Sequence, residues 1–303
     1  MLKTVFNFDY SAHSGFVAPA RASSEIWRLL AGLALAVVVI WLGAPLIWQV
    51  LFIGLSEDAY LILIEDFDTL LLPQSLLLML YSFGFVWLAV ALVVMMLHQR
   101  RPETLIGPPT IAWMQAKFVA IALLLLLGAT ILLPPYRYTP ELLDGLPFGR
   151  WIAFLIPGLI AIFVQTSAEE VLFRGYIQQQ LAARFDHPAV WLLVPSVLFG
   201  LAHYAPDTYG GNAWLVVIWA SVFGLFAADL TARAGTLGPA IAMHFATNIS
   251  ALLLIAPQGE MSGLALYQFG FSASDETAMR ALLPVDFAVM FVSWLAARLA
   301  LRR

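Results

Sequence analysis

Three apolar stretches of the sequence carry ionisable or amide side chains one helical turn apart. They are EEVLFR over Glu169–Arg174, FGLAH over Phe199–His203 and HFATN over His244–Asn248. A charged side chain at the centre of a bilayer costs about 2.5 to 3.5 kcal/mol on insertion scales, so such residues persist mainly where they face a protein interior or a wet cavity. The three stretches therefore predict a functional site inside a membrane protein.

The first stretch separates the roles of two adjacent carboxylates. Glu170 and Arg174 stand at i and i+4 on a helix, which lets the guanidinium pair with that carboxylate, whereas Glu169 projects about 100° away around the helix axis. A free Glu169 carboxylate can serve as a general base or acid. The alternative is that all three residues form a structural ion-pair network, which is a costly way to join helices inside an apolar run.

Two histidines and an amide complete the candidate chemistry. His203 alone would fit an interfacial histidine or a buried histidine with its hydrogen bonds satisfied, since Tyr204 beside it suits an interface belt. Only the other two stretches support a catalytic role for His203. His244 and Asn248 stand at i and i+4, so both side chains point the same way from one helix. Two donors on one face can stabilise an oxyanion, and a polar contact between helices explains the pair equally well.

The absence of cysteine from the sequence excludes thiol nucleophiles, disulfides and thiolate metal sites. The remaining groups are carboxylate, imidazole and amide, a combination that indicates a water activated by a carboxylate, with donors for the tetrahedral intermediate. We expect no cofactor. A His₂Glu zinc site stays open as an alternative, although the HExxH helix pattern is absent from the sequence and Asn248 is a poor zinc ligand.

Taken together, the three stretches resemble a known family. The pattern Glu-Glu-x-x-x-Arg, Phe-x-x-x-His and His-x-x-x-Asn on successive hydrophobic segments is similar to the C-a-a-X protease and bacteriocin-processing (CPBP) family of intramembrane glutamic endopeptidases, also called the abortive-infection (Abi) family. The similarity runs from Phe154 to Leu254. Every motif position is present, at Glu169, Glu170, Arg174, Phe199, His203, His244 and Asn248.

The resemblance implies a fold and a role for each group. The fold would be a bundle of about eight helices. Glu169 and His203 would activate the water. His244 and Asn248 would form the oxyanion site, and the Glu170–Arg174 pair would support them.

Composition indicates that membrane helices hold these residues. Hydrophobic residues make up 62% of the chain and charged residues 11%, against about 45 to 50% apolar and about 25% charged in soluble proteins. A hydrocarbon core about 30 Å thick needs about 20 apolar residues in a helix. The stretches that reach or approach this length lie near Leu29–Ile53, Leu76–Leu97, Ile111–Leu133, Trp151–Gly175, Ala189–His203, Asn212–Thr231, Leu237–Ala256 and Ala281–Ala300.

We therefore predict an all-α fold, a single polytopic membrane domain of about eight helices over residues 1–303. The motif-bearing core would cover residues 151–256, and scaffold helices would cover 29–133. A fourth helix ending near Gly175 would leave Glu169 close to the membrane edge and far from His203. We therefore expect an unusually long fourth helix that continues to about Phe185.

The charges in the loops predict the orientation. With an even number of spans both termini share one side, and Lys and Arg favour the cytoplasmic side. That side would carry Lys3, Arg21, Arg28, Arg100, Arg101, Arg184, Arg233, Arg298, Arg302 and Arg303, against Arg137, Arg150 and Arg280 on the other. We expect an integral protein of the cell inner membrane with both termini in the cytoplasm.

Three classes of function fit these features. We favour an intramembrane endopeptidase that cuts a peptide or membrane-tethered protein near its carboxyl terminus, as the family resemblance suggests. Its partners would be that substrate and the lipid bilayer, and no basic cluster indicates nucleic acid. A non-catalytic immunity or scaffold protein would keep the same fold. A transporter also uses buried Glu, His and Arg, but it would more often show paired repeats with broken helices.

Overall fold

The protein is an integral membrane protein built almost entirely of helices. The computed structural model describes residues 9–132 and 141–302. Within these ranges six helices are long and apolar enough to cross a membrane, and two shorter apolar helices accompany them. The predicted all-α polytopic fold is confirmed, whereas the count of eight spans is not.

The helices follow the order of the predicted stretches, with two additional short helices. The helix α1 precedes the first span and α3 follows it. Their bounds are α1 Ser11–Val17, α2 Ile26–Gly54, α3 Glu57–Asp66, α4 Pro73–Met96, α5 Pro109–Leu132, α6 Phe148–Arg184, α7 Pro188–Leu201, α8 Ala213–Ala234, α9 Gly238–Leu254 and α10 Glu276–Leu301.

The long fourth span is confirmed. Helix α6 is continuous over 37 residues, Phe148–Arg184, and at about 1.5 Å per residue it exceeds the thickness of a bilayer core. Between Val171 and Gln178 its hydrogen bonds switch to the wider π pattern. Such segments are rare and often occur at functional sites, and this one begins directly after Glu170.

The fifth helix ends two residues before the end of the predicted stretch Ala189–His203. Helix α7 has 14 residues and ends at Leu201, so it is too short to cross a core about 30 Å thick by itself. His203, predicted at the end of the span, follows the helix in a turn whose backbone N–H donates to the Gly200 carbonyl at 2.9 Å. The turn, and not a helix face, therefore sets the position of the imidazole.

A small sheet joins two loops at one end of the bundle, which an all-α prediction does not anticipate. Strand β1 (Leu142–Asp144) runs antiparallel to β3 (Tyr267–Ser272), which runs parallel to β2 (Ile255–Gln258). The sheet therefore connects the segment before α6 to the segment between α9 and α10. These strands have three to six residues, too few for a clear alternating pattern.

Helices α6, α7 and α8 have close backbone contacts at glycines. A Cβ at Gly175 would lie 2.8 Å from the Leu105 carbonyl oxygen, and one at Gly224 of α8 would lie 3.0 Å from Cα of Ser196 on α7. Small residues let membrane helices approach closely. Helix α8 packs against α7 and α9, so the helices that carry the three motifs form one tightly packed unit.

Two of the arginines used to predict the orientation are buried and do not lie exposed in loops. Arg233 and Arg298, counted as loop charges, are buried at 3% and 2% exposure. Arg233 pairs with Asp229 at 2.8 Å, so neither arginine acts as a free surface charge. Lys3, Arg137 and Arg303 lie outside the described residues.

Candidate active site

An ion pair in the middle of α6 forms the base of the candidate site. Nη1 of Arg174 donates to Oε1 of Glu170 at 2.9 Å, and Nη2 donates to the Gly224 carbonyl oxygen at 3.1 Å. Both side chains of the pair are fully buried. The guanidinium carbon also lies 4.6 Å from the centre of the Phe199 ring, a cation–π distance. The pairing expected from the i, i+4 spacing is present, and it links α6 to α7 and α8.

His244 connects this pair to the second glutamate. Its Nδ1 lies 2.8 Å from the same Oε1 of Glu170, and its Nε2 lies 3.5 Å from Oε2 of Glu169. Because a carboxylate oxygen accepts, the hydrogen in the shorter contact belongs to Nδ1. His244 of α9 is thus held between two glutamates of α6, a position that the local sequence pattern does not reveal.

Glu169 has the least satisfied carboxylate of the cluster. Its side chain is 13% exposed, and its Oε2 is buried with no hydrogen-bond partner among the described residues. The 3.5 Å contact to His244 is longer than an ordinary N–H···O hydrogen bond. The carboxylate therefore keeps an oxygen available for another donor.

His203 reaches the cluster through the Phe199 ring. Its Nδ1 lies 2.8 Å from the Phe199 carbonyl oxygen, and since a carbonyl can only accept, Nδ1 carries a hydrogen. The Phe199 ring lies 4.6 Å from the His203 ring and 5.8 Å from the His244 ring. Phe199 therefore stands between the two imidazoles, and the described contacts include no direct bond between His203 and Glu169.

Asn248 has a partner that the motifs do not include. Its Nδ2 donates to Oε1 of Gln165 at 2.8 Å, and Gln165 is 7% exposed. Gln165 lies four residues before Glu169, so the two share one face of α6. The sequence does contain a signal for Gln165 as a site residue, because this glutamine lies inside an apolar run at i−4 from the candidate base. The second hydrogen of the Asn248 amide is left for another acceptor.

Two of the three motifs thus meet along α6 in two groups, and the Phe199–His203 motif lies beside them through the Phe199 ring. Glu170, Arg174, Glu169 and His244 form one contact chain, and Gln165 and Asn248 form the other. As for metals, within residues 9–132 and 141–302 no group of three His, Cys, Asp or Glu side chains lies close enough to hold an ion. A zinc site at Glu169, His203 and His244 would require these side chains to move together.

Comparison with known proteins agrees with the motif pattern. Residues 150–250 match the family model described as type II CAAX prenyl endopeptidase Rce1-like. The chain is also 26% identical over 263 residues to the uncharacterized protein YyaK of Bacillus subtilis (strain 168), an alignment that covers 82% of this chain and 85% of YyaK. No solved structure matches.

The matched residues 150–250 contain all seven motif positions. They include the whole of α7 and α8 and most of α6 and α9, the helices that carry the contacts described above. The resemblance to CAAX-type endopeptidases predicted from the three motifs is therefore confirmed over this part of the chain, which is similar to the type II CAAX prenyl endopeptidase Rce1-like family.

Proposed function

We propose that the protein is an intramembrane endopeptidase in which Glu169 activates a water molecule. The observation that carries this proposal is that, among the described residues, Glu169 has only the 3.5 Å contact to His244 and a buried Oε2 without a hydrogen-bond partner. Oε2 of Glu170 is also unpartnered among these residues, but Oε1 of Glu170 is bonded to both Arg174 and His244. A structural ion-pair network would hold both glutamates at hydrogen-bond distance. Here Glu170 is bonded to Arg174 at 2.9 Å and to His244 at 2.8 Å. Glu169 lies at the longer distance of 3.5 Å from His244, so we assign Glu169 as the proton acceptor.

The proposed first step forms one bond and moves one proton. The water oxygen attacks the carbonyl carbon of the scissile peptide while a carboxylate oxygen of Glu169 accepts the water proton. The carbonyl oxygen becomes an oxyanion, for which the free amide hydrogen of Asn248 is a suitable donor. In the second step the C–N bond breaks and the proton passes to the leaving amine.

The two histidines take different parts in this scheme. His203 donates through Nδ1 to the Phe199 carbonyl, which leaves its Nε2 to contact and orient the water. His244, expected as the second oxyanion donor, contacts both glutamates. In this arrangement its Nε2 lies beside Glu169. With Nδ1 bonded to Glu170, Nε2 donates to an oxyanion only when the ring is protonated on both nitrogens.

The Glu170–Arg174 pair supports the scheme indirectly. Arg174 is bonded to Glu170 and to the Gly224 carbonyl, so it fixes the Glu170 oxygen that holds His244. A buried pair of this kind contributes little net stability, but loss of one partner leaves an uncompensated charge. Its role is therefore to hold His244 and, through it, Glu169.

The proposed substrate is a peptide or membrane-tethered protein that is cut near its carboxyl terminus. The name of the matched family model, a CAAX prenyl endopeptidase, supports this class of substrate. We further propose that the protein lies in the cell inner membrane with both termini in the cytoplasm, because exposed arginines such as Arg101 and Arg184 cluster at the end of the bundle where α2 begins.

The decisive experiment compares Glu169→Gln with the matched control Glu103→Gln, which alters an exposed glutamate. Carboxyl-terminal peptides of membrane proteins are quantified in cells that express each variant. Glu169→Gln should slow cleavage about 10²- to 10⁴-fold, the usual contribution of proton-transfer catalysis, and the uncleaved substrate should accumulate. Equal cleavage by both variants would contradict the proposed role of Glu169.

A chelation arm separates this mechanism from the zinc alternative. We expect the purified protein to keep cleaving the peptide identified above after exhaustive chelation. Loss of activity on chelation with recovery on added zinc would instead indicate a metal-dependent enzyme, because metal binding is reversible and needs deprotonated ligands.

The orientation is tested with single introduced cysteines, since the native sequence has none. Arg101→Cys and Asp275→Cys place exposed thiols at opposite ends of the bundle. An impermeant maleimide added to intact cells should label Asp275→Cys alone. Labelling of Arg101→Cys alone would reverse the orientation.

A further inference from the structure

A groove lies at the end of the bundle where α2 begins and α6 ends. It has a volume of about 530 Å³, enough for a lipid headgroup, and it opens to the surface. Its lining comes from the segment before α2, the first turn of α2 and the last residue of α6, and consists of Arg21, Ala22, Ser24, Glu25, Ile26, Trp27 and Arg184. None of these residues belongs to the candidate active site.

The groove carries a net positive charge. Arg21 and Arg184 are exposed, and neither forms an ion pair or a hydrogen bond with any described residue. The carboxylate of Glu25 is paired with Arg28 at 3.2 Å. Asp186, which lines a neighbouring pocket together with Arg21, forms no ion pair with a described residue. Two guanidinium groups therefore face the groove uncompensated.

Further donors come from the backbone at the start of α2. The first amide groups of a helix have no partner within the helix, and here these are the groups of Ile26 and Trp27, which line the groove. The positive end of the dipole of this 29-residue helix favours an anion at the same place. The arginines and the helix start thus select the same kind of ligand, a compact oxyanion such as a phosphate.

The groove also borders an apolar surface that continues down the membrane span. Trp27 lines the groove and is 60% exposed, and Leu30, Val37 and Trp41 extend the exposed stripe along α2. Tryptophan is enriched at the membrane interface. The Arg28 guanidinium lies 5.1 Å from the centre of the Trp27 ring, which fixes this ring at the mouth of the groove. The charged groove and the apolar stripe therefore meet at the level of lipid headgroups.

We propose that this groove binds the phosphate group of an anionic membrane lipid, with the acyl chains lying along the apolar stripe of α2. Arg21 and Arg184 contact the phosphate from two sides, and the amides at the start of α2 complete the site. Because the two arginines belong to separate elements, a shared phosphate joins the amino-terminal segment to the last turn of α6. This proposal does not rest on the proposed protease activity.

The test measures lipid binding to the full-length protein purified in a zwitterionic detergent. The probes are a short-chain phosphatidylglycerol, the phosphatidylcholine with the same chains, and inorganic phosphate. Arg21→Gln/Arg184→Gln removes the two groove charges. The control Arg101→Gln/Arg302→Gln removes two exposed arginines at the same end of the bundle, so both variants change the net charge equally.

We expect phosphatidylglycerol to bind more tightly than phosphatidylcholine, and the groove variant to bind it at least about tenfold more weakly, since each arginine near an anionic surface contributes about 1 kcal/mol. The control should bind like the native protein. Equal weakening in both variants, or equal affinity for the two lipids, would overturn the proposal. Inorganic phosphate bound as tightly as phosphatidylglycerol would overturn the assignment to a lipid.

A second variant keeps the test independent of the two arginines. Ala22→Glu adds a carboxylate to the exposed groove lining and should also abolish preferential binding of phosphatidylglycerol. Retained preference in a folded Ala22→Glu protein would show that the lipid binds elsewhere. Gel filtration and far-UV circular dichroism verify that each variant is folded before binding is compared.

Discussion

The amino-terminal helix α2 and helix α8, which packs among the motif-bearing helices, are both long and apolar enough to cross a membrane, but their environments are opposite. In the most apolar stretch of each span, 17% of residues are buried for α2 and 61% for the segment that ends in α8. Helix α2 exposes Trp41 at 72% and Ile53 at 77%, whereas α8 buries Asp229 and Arg233. Hydrophobicity alone therefore does not distinguish a helix that faces lipid from one that encloses polar chemistry.

The difference follows from how lipid treats polar groups. An apolar side chain loses little when it faces acyl chains, but an unsatisfied polar group there costs several kcal/mol. In the motif half these groups obtain partners from neighbouring helices, as when Gln178 donates to the Ala228 carbonyl and Arg174 to the Gly224 carbonyl. Helix α2 has fewer such contacts to make and can face the membrane.

The comparison predicts its largest effect at Arg174. Arg174→Ala leaves Glu170 buried without its cation, and breaking a buried pair costs about 3 to 5 kcal/mol. We expect a large fall in the apparent melting temperature in detergent and a lower folded yield. Arg101→Ala, whose side chain is 82% exposed, should change neither. An Arg174→Ala protein as stable and active as the control would show that the pair is not required.

The next effect concerns the turnover number and the Asn248 side chain of α9. Asn248→Ala removes the proposed oxyanion donor, and loss of one such donor costs about 10²- to 10³-fold in turnover, with substrate binding little changed. Thr247→Ala, which loses only a bond to the Met243 carbonyl on the same helix, is the control.

Gln165→Leu should lower turnover less than Asn248→Ala, because it leaves the Asn248 amide present but unheld. Steady-state kinetics on the peptide identified by proteomics separates turnover from binding for the three variants. A higher KM with unchanged turnover in Asn248→Ala would mean that the amide binds substrate and does not stabilise the transition state.

A smaller effect is expected from pH in the amino-terminal half. Burial, with a smaller contribution from Arg100, lowers the pKa of His98 to about 4, and burial lowers the pKa of His13 to about 4. Above about pH 6.5 both histidines are neutral in the folded and unfolded chain. Below about pH 6.5 both imidazoles bind protons in the unfolded chain but stay neutral in the folded protein. The free energy of unfolding therefore falls as pH drops from about 6.5 to about 4.

The His98 contribution can be isolated by substitution. His98 contacts Tyr176 at 3.0 Å and Gln180 at 2.9 Å, so it joins α4 to the last turns of α6. His98→Gln should reduce the loss of stability at low pH by about 1 to 3 kcal/mol, since one pKa unit is worth about 1.4 kcal/mol. The exposed control His187→Gln should not. Melting temperatures are measured between pH 4 and pH 7.5. If the native protein and His98→Gln show the same dependence of Tm on pH, His98 does not titrate in this way.

Much of the fold follows from the sequence because its signals are long or strongly periodic. The eight apolar stretches lie within a few residues of the helices, and the need to bring Glu169 inward predicts the extension of α6 to Arg184. The Glu170–Arg174 pair follows from helix geometry alone. These features depend on residues that are close in the sequence.

Other features depend on contacts between distant residues. The bond from His244 to Glu170 joins residues 74 positions apart, and the bond from Asn248 to Gln165 joins residues 83 positions apart. The π segment after Glu170 has no distinctive residue type, and the turn that holds His203 replaces the end of a helix that composition alone would continue. Tertiary packing determines these contacts and helix ends, and the local sequence pattern carries no information about that packing.

The smallest effects compare two helical glycines. A Cβ at Gly224 of α8 would lie 3.0 Å from Ser196 Cα and 3.2 Å from Nη2 of Arg174, whereas a Cβ at Gly128 of α5 would meet nothing within 4 Å. Gly224→Ala should therefore destabilise by about 1 kcal/mol or more through overpacking. Gly128→Ala should stabilise by about 0.4 to 1 kcal/mol, because alanine restricts the unfolded chain. Melting temperatures that move in the same direction for both variants would contradict the difference between a tightly packed motif half and a lipid-facing amino-terminal half.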